Sequence, residues 1–573
     1  MASRRACHFG LRRGASRASA RGMAPTLLPV EPGDVYRLER SVQSASSAQE
    51  GAAGVVTGEQ TMQADVNWCA VLAHHATRTP DKPITVFEGE TTTYGQMAAR
   101  VAALATGLGE RGIGRGDVVG LLSYNCPEML ETIFAANHLG AIAMPINWRL
   151  APPEVRYILD HSEAKALVCD DACISLADDA TKELEPTLLR ASVADAAPEG
   201  WVALADLRAA GNAAGLAAPA VTTGDDVHRL MYTSGTTGHP KGVMLTHANL
   251  AWKNLAHIVE FGFTNADLGL ACGPLYHVGA LDLTTTTLIA AGATVIIHRQ
   301  FDAAAVVDEL ERSRVSTVWL APAMVNAIMA LPDVEQRDLS SVRVIINGGE
   351  KMPIPLIERI QRTFPSAWFA DAYGLTETVS GDTFLDHDSI ITKLGSVGRT
   401  CLHLELDIWD EQGRSVAAGE RGEIVLRGPK VFTGYWRDEA ATAKAFAGGW
   451  FHTGDIGVRD EDGYLFIVDR LKDMIVSGGE NIAGSEVERV LYEHDAVSEV
   501  AVVARPDDRW GEVPVAFVVL REDATVTADE LVEHCRARLA KYKVPKAVTF
   551  IEALPRNPSG KVLKRELRTQ VDG

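Results

Sequence analysis

Between Tyr232 and Gly242 the chain reads Tyr-Thr-Ser-Gly-Thr-Thr-Gly-His-Pro-Lys-Gly, with three glycines, four Ser/Thr hydroxyls and one lysine. Glycines let backbone N–H groups converge on an anion, hydroxyls add donors, and Lys241 adds a point charge. Such a run suits a polyphosphate. It is not a Walker A loop, because counting from Gly235 puts Pro240 where the second glycine is needed and Gly242 follows the lysine. A Gly/Ser/Thr linker is the bland alternative. The apolar Leu230-Met231-Tyr232 before it, and the lysine inside it, argue against that. Thr246 is placed to cap a helix whose apolar face begins at Leu250.

Five further stretches carry groups that could do chemistry. Gly273-Pro-Leu-Tyr-His-Val-Gly279 sets His277 between glycines, and Asn347-Gly-Gly-Glu-Lys-Met-Pro353 follows a buried strand pattern. Asp371-Ala-Tyr-Gly-Leu-Thr-Glu-Thr378 combines an aromatic, Gly374, a hydroxyl and a carboxylate. Trp450-Phe-His-Thr-Gly-Asp455 offers a carboxylate in a turn, and Arg556-Asn-Pro-Ser-Gly-Lys561 ends on a lysine. Singly, each is more often structural: Tyr373 fits a core, and Glu350 a solvated loop.

The elements that must position these groups follow from periodicity. From about 65 to 400, helix-length segments such as 94–111 alternate with short apolar runs: 118–122, 141–145, 166–169, 293–297, 315–320 and 342–346. That alternation predicts crossover connections and mainly parallel sheets. Residues 185–225, rich in Ala, Gly and Pro, read as a surface connection. After 400 the runs 404–408, 422–428 and 463–468 alternate in the manner of an antiparallel layer. Near 470 the charged segment Asp469-Arg-Leu-Lys-Asp473 precedes Ser477-Gly-Gly479 and a compact α+β pattern. There Ser485 and Glu488 predict a capping box for a helix to about His494. Val500–Val503 and Val513–Leu520 predict strands, and Leu531, Cys535 and Leu539 a helical stripe. The expected fold class is α/β. It has a large N-terminal domain (63–469) of mainly parallel sheets flanked by helices plus an antiparallel β layer. A hinge (470–474) and a small mobile C-terminal α+β domain (475–573) follow.

Composition bounds the class. The 573 residues are 46% hydrophobic with net charge −20, which suits a globular chain and argues against nucleic acid as partner. A basic cluster (Lys541, Lys543, Lys546, Arg556, Lys561, Lys564, Arg565, Arg568) reads mostly as a solvated face. The eight cysteines lack metal-finger spacing and read as buried free thiols in a reducing compartment. No apolar run reaches transmembrane length; the nearest, 283–297, is short and interrupted by threonines. Residues 1–62 begin Arg-rich and acid-free, then turn Ser- and Ala-rich, and are expected to be disordered. They read either as a mitochondrial transit peptide or as an extension upstream of a true start at Met23 or Met62. The expected location is accordingly cytoplasmic, with the mitochondrial matrix as alternative. A homodimer is compatible with the sequence.

Together and in this order, the motifs over residues 65–568 resemble the adenylate-forming superfamily, which includes acyl-CoA synthetases, 4-coumarate–CoA ligases, firefly luciferase and nonribosomal adenylation domains. Bacterial fatty-acyl-CoA ligases look most similar. The resemblance implies ATP, Mg²⁺ and coenzyme A. A carboxylate attacks the ATP α-phosphate to give an acyl-adenylate and pyrophosphate, and a thiol then displaces AMP. By the same resemblance Thr233, Ser234, Gly235, Thr236, Thr237, Gly238 and Lys241 hold the β- and γ-phosphates. Thr376 touches the α-phosphate and Glu377 holds Mg²⁺. Gly349, Glu350, Asp371, Ala372, Tyr373 and Gly374 form the adenine pocket. Asp455 takes the ribose hydroxyls, with Arg470 as its partner. Lys561 bridges carboxylate and α-phosphate from the small domain, and Lys472 is the hinge. Rotation there withdraws Lys561 and brings Ser477, Gly478 and Gly479 to the site as a pantetheine tunnel.

His277 matches the residue between the ATP site and the acyl pocket. Tyr276, Val278, Gly279, Ala280, Leu281, Val379, Ser380 and Gly381 are expected to line that pocket. No acid stands among them to receive an α-amino group. The gating tryptophan of some long-chain synthetases is replaced by Leu281. An apolar pocket fits a medium- or long-chain fatty acid first, and an aromatic or alicyclic acid second. Two alternatives to a CoA ligase stand: an acyl-AMP ligase loading a carrier protein, and a catalytically silent interaction module. The former lacks its usual inserted segment here, and retained Glu377, Asp455 and Lys561 argue against the latter.

Overall fold

A computed structural model of the protein describes residues 67–571, except 185–187, 195, 234–239, 349–353, 471–472, 478–479, 508–509, 540 and 557–561. Two large sheets carry the alternation of strand and helix. The first has eight strands in the order Gly434–Tyr435, Lys241–Thr246, Val227–Thr233, Ile142–Ile146, Val118–Leu122, Ala166–Cys169, Leu189–Ser192 and Val202–Ala203. From Val227–Thr233 outward its pairings are parallel, while Lys241–Thr246 and Gly434–Tyr435 are antiparallel additions. The second has nine: Arg399–Thr400, Thr383–Phe384, Trp368–Tyr373, Val344–Gly348, Thr317–Leu320, Leu268–Ala271, Thr294–Ile297, Pro83–Phe87 and Glu90–Thr93. It is parallel from Trp368–Tyr373 to Pro83–Phe87 and antiparallel at both edges. The continuous apolar strands are buried throughout, as Val118–Leu122 and Thr317–Leu320 show, because helices cover both faces of a parallel sheet.

Beyond residue 400 the connections shorten. Glu405–Trp409, Arg421–Arg427, Phe451–Arg459 and Leu465–Arg470 make a four-stranded antiparallel sheet. From Ile475 the chain builds a further sheet around the long hairpin Val497–Asp507 and Gly511–Leu520, with Ala547–Phe550 added in parallel. Its helices Gly484–Tyr492 and Ala528–Arg536 bury Val487, Leu491, Leu531 and Cys535 against that sheet. The seven described cysteines are all buried free thiols. Among the described residues no helix is long and apolar enough to cross a membrane.

Three local expectations need correction. Residues 185–225 are more than a surface connection, since Leu189–Ser192 and Val202–Ala203 extend the first sheet and Leu204–Ala214 is a helix. The Ala-rich composition masked a closely packed helix pair: a Cβ on Gly107 would lie 2.0 Å from the Leu207 carbonyl oxygen, and one on Gly211 2.0 Å from that of Ala103. The capping box at Ser485 and Glu488 does not form. The helix starts at Gly484, so Ser485 falls inside its first turn and its hydroxyl donates to the Val468 carbonyl. Glu488 instead accepts from the Val502 N–H at 2.8 Å and pairs with Lys564 at 2.9 Å. Four of the eight C-terminal basic residues are engaged rather than solvated: Lys543 pairs with Glu486, Arg556 with Glu499, Lys564 with Glu488 and Arg568 with Asp473, while Lys541, Lys546 and Arg565 are exposed as expected.

The crossing of helices Tyr94–Gly109 and Leu204–Ala214 generates a test. Gly107→Ala should improve local helix propensity yet lower stability, because backbone stands where the methyl would go. A net loss of about 1–3 kcal/mol in urea unfolding is expected; an unchanged or raised midpoint would contradict the close approach.

Candidate active site

Strands Val227–Thr233 and Lys241–Thr246 pair with Thr233 opposite Lys241 and Tyr232 opposite Gly242. The phosphate-type run therefore joins two antiparallel strands. Ser234, Gly235, Thr236, Thr237 and Gly238 lie outside the described residues. The lead-in is fixed, since the Tyr232 hydroxyl is 2.8 Å from His161 Nδ1. The exit is fixed by Thr246, which caps helix His247–Phe261 in a reciprocal box with Asn249.

Thr376, Glu377 and Thr378 form a short 3-10 turn just after strand Trp368–Tyr373, at the carboxyl end of the second sheet. Glu377 and Lys241 both meet a residue that sequence reasoning missed, Tyr435. The Tyr435 hydroxyl donates to Glu377 Oε1 at 3.0 Å, and the Lys241 ammonium stands 4.9 Å from the Tyr435 ring centroid. Burial, reinforced by Glu377, pushes the Tyr435 phenol well above its ordinary range, so it stays a donor. The whole segment 429–436 is a strap. Asn249 donates to Pro429 O at 2.8 Å and Val431 O at 2.9 Å, Phe432 N–H donates to Glu377 O at 2.7 Å, and Trp436 N–H donates to Gly242 O at 2.7 Å.

On the same strand end, the Tyr373 hydroxyl donates to Asp455 Oδ2 at 2.8 Å. Asp455 sits in strand Phe451–Arg459, buried, with Arg470 as its register partner. Ala372 pairs with Gly348, and Asp371 with Asn347, on adjacent parallel strands. Gly374 is required by packing, because a Cβ there would come 2.3 Å from the Gly381 nitrogen. The turn that follows is strained: Val379, Ser380 and Gly381 have φ of 55°, 62° and 65°. For the non-glycine pair this costs about 1–2 kcal/mol per residue and marks a site held by its surroundings.

His277 stands just before the turn that opens at Gly279. Its Nδ1 accepts from the Gly279 N–H at 3.0 Å, which puts the neutral ring's proton on Nε2. The ring lies 6.2 Å from Trp319, nearly parallel at 27°. Trp319 went unnoticed because it reads as one apolar residue in a buried strand. Its indole fills the space over two glycines: a Cβ on Gly273 would be 2.6 Å from it and one on Gly279 2.5 Å. Tyr276, Val278, Ala280, Leu281, Val379 and Ser380 are buried around this region. Gly279–Thr286 is π-helical, a conformation that recurs at functional sites. The wide turn is braced by Lys253, which donates to Asp282 O at 2.5 Å and Thr286 Oγ1 at 2.8 Å, and by the buried pair Arg229–Asp282 at 2.5 Å.

The other predicted site residues divide as follows. Ser477 is buried in strand Ile475–Ser477 and pairs with Glu480 and Gly511. Gly349, Glu350, Lys472, Gly478, Gly479 and Lys561 lie outside the described residues.

Known proteins resemble this chain over most of its length. Residues 72–436 match the AMP-binding enzyme family, and 486–561 match the AMP-binding enzyme C-terminal domain. The chain belongs to the AMP-binding, adenylate-forming enzymes. A feruloyl-CoA synthase of an Amycolatopsis species is 41% identical, with 84% of this chain and 94% of that protein covered. The long-chain-fatty-acid–CoA ligase FadD13 of Mycobacterium tuberculosis is 39% identical, covering 83% and 93%. The o-succinylbenzoate coenzyme A synthetase of Bacillus subtilis, solved with ATP and magnesium ion, superposes with TM-score 0.76 at 31% identity, covering 88% and 99%.

For this AMP-binding enzyme, Asp371 yields a pH prediction. Burial raises its carboxyl from 3.8 to about 7. Between those values the folded chain keeps a proton that the unfolded chain has lost, so this group's contribution falls as pH rises from about 4 to 7. Asp371→Asn should flatten that part of the stability–pH curve; an unchanged slope between pH 4 and 7 would count against the assignment.

Proposed function

We propose that the protein is an ATP-dependent acyl-CoA ligase that forms an acyl-adenylate and then transfers the acyl group to coenzyme A. The observation that carries this reading is the contact of both Lys241 and Glu377 with Tyr435, the one over its ring and the other at its hydroxyl, with the Tyr373–Asp455 pair on the strand that precedes Glu377. A cation and a carboxylate held near one another but apart suit a polyphosphate with its counter-ion. Among the described residues no three His, Cys, Asp or Glu side chains converge on a metal. One carboxylate fits Mg²⁺, which takes its remaining ligands from phosphate oxygens and water. Glu377 would hold that ion, which when bound offsets charge on the phosphates.

In this reading Lys241 and the hydroxyls of 233–237 bind the β- and γ-phosphates. Thr376 faces the α-phosphate, and Asp455 accepts from the ribose hydroxyls. A carboxylate oxygen of the acid attacks the α-phosphorus as the bond to pyrophosphate breaks, with Lys561 bridging nucleophile and phosphate. The thiol sulfur then attacks the acyl carbon and AMP leaves, the proton passing to solvent. The second step needs Ser477, Gly478 and Gly479 at the site and Lys561 withdrawn, by rotation about Lys472. The buried free thiols fit a cytoplasmic setting.

For the acid, Trp319 favours a compact aromatic or alicyclic acid over a long chain. Its indole, packed beside His277 and over Gly273 and Gly279, takes up length that a long chain would need. A fatty acid is the second reading, supported by the similarity to a long-chain ligase.

Two experiments test this. Lys561→Ala should abolish acid-dependent ATP–pyrophosphate exchange, whereas Gly479→Leu should spare it and slow thioester formation by a factor of ten or more, on the order of a steric block in a closing step. Equal loss of exchange in both variants would refute the two-state reading. In a panel of carboxylic acids, Trp319→Ala should shift kcat/KM toward long chains by at least about tenfold; an unmoved preference would remove Trp319 from the pocket.

A further inference from the structure

Lys430 has no part in the reaction as derived, yet its placement is demanding. It is buried to 1% exposure and donates to Ser380 O at 2.9 Å and Gly381 O at 2.5 Å. Its ammonium is also 3.0 Å from Asp382 Oδ1, and the other oxygen of that wholly buried carboxylate accepts from Thr378 Oγ1 at 2.6 Å. These contacts grip both ends of the left-handed turn Val379–Gly381, which follows directly on Thr376, Glu377 and Thr378. The same strap also touches Glu377 through Phe432 and Tyr435.

Stability alone does not explain a charged pair here. Burying two ions costs desolvation that a well-packed apolar pair of equal volume avoids. What an ammonium supplies is several N–H donors converging on two carbonyls and a carboxylate, which compels a backbone shape that Val379 and Ser380 do not favour. That shape decides where Thr376 and Glu377 point. We propose that Lys430 is a positioning residue that holds Thr376 and Glu377 in ATP-binding geometry by bracing the left-handed turn behind them. This rests on the reading of Glu377 as a phosphate-side ligand.

The double variant Lys430→Met/Asp382→Asn removes both buried charges in the full-length enzyme. It should fold, exchange the backbone amides of 378–382 at least tenfold faster by hydrogen–deuterium mass spectrometry, and bind ATP in Mg²⁺ about tenfold more weakly by calorimetry. Binding measured in EDTA should move less. Parental ATP affinity together with slow exchange would overturn the proposal, and so would faster exchange with unchanged affinity. Should the double variant not fold, Lys430→Arg, which keeps the charge but not the geometry, is read by the same two measurements and the same outcomes. Glu377→Ala separates the two layers. It should lose the Mg²⁺-dependent gain in ATP affinity while amides 378–382 stay slow. If it keeps that gain, the reading of Glu377 falls and the proposal with it. If it loses the gain while the Lys430 variants keep theirs, the proposal alone falls.

Discussion

In the function proposed above, a lysine and a glutamate serve one polyphosphate, so they must be close together and yet not spend themselves on each other. Tyr435 meets that constraint by touching both. Its ring face receives the Lys241 ammonium and its hydroxyl is given to Glu377, so each charge is steadied by a neutral group. Had the two side chains met directly, their pairing would have to break before phosphate could bind, a cost set by desolvation and geometry together. The rest of the architecture serves this spacing. One sheet delivers Lys241 on an antiparallel hairpin, the other delivers Glu377 on a turn beyond its parallel strands, and a strap from a distant part of the sequence carries the phenol.

The hairpin also changes how anion binding is understood here. A phosphate loop that opens into a helix borrows the helix's terminal N–H groups and its dipole. In this chain helix His247–Phe261 begins only after strand Lys241–Thr246. The Lys241 ammonium, carried on that strand, is therefore a charge independent of this helix's terminus.

Much of this was legible in the sequence because it depends on local pattern. Apolar runs such as 118–122 and 342–346 become buried parallel strands, and Thr246 caps its helix, since short-range chemistry decides both. Tyr435, Trp319 and Lys430 were not legible, because their roles come from partners far along the chain. A lysine in the run Gly-Pro-Lys-Val reads as solvated until the fold wraps it in three acceptors. Ser485 failed for the opposite reason. Its spacing to Glu488 fits a cap, but the helix starts at Gly484, two residues before the start such a cap implies, which leaves the hydroxyl better placed to reach another strand. The segment around Leu204–Ala214 was obscured by composition, since alanine and glycine suit a loose connection and a tight helix crossing equally well.

The Ser485 bond to the Val468 carbonyl has a thermodynamic meaning of its own. It runs from the first helix of the C-terminal unit to the last strand before the proposed hinge. In the proposed cycle a rotation about that hinge breaks it, as it breaks any contact private to one arrangement. A single hydrogen bond is worth about 0.5–1.5 kcal/mol net, enough to change the ratio of the two arrangements several-fold. Bonds of this size, well away from the reacting atoms, thus act as ballast. In the two-arrangement cycle proposed above, they set the fraction of enzyme waiting in each half before either substrate arrives.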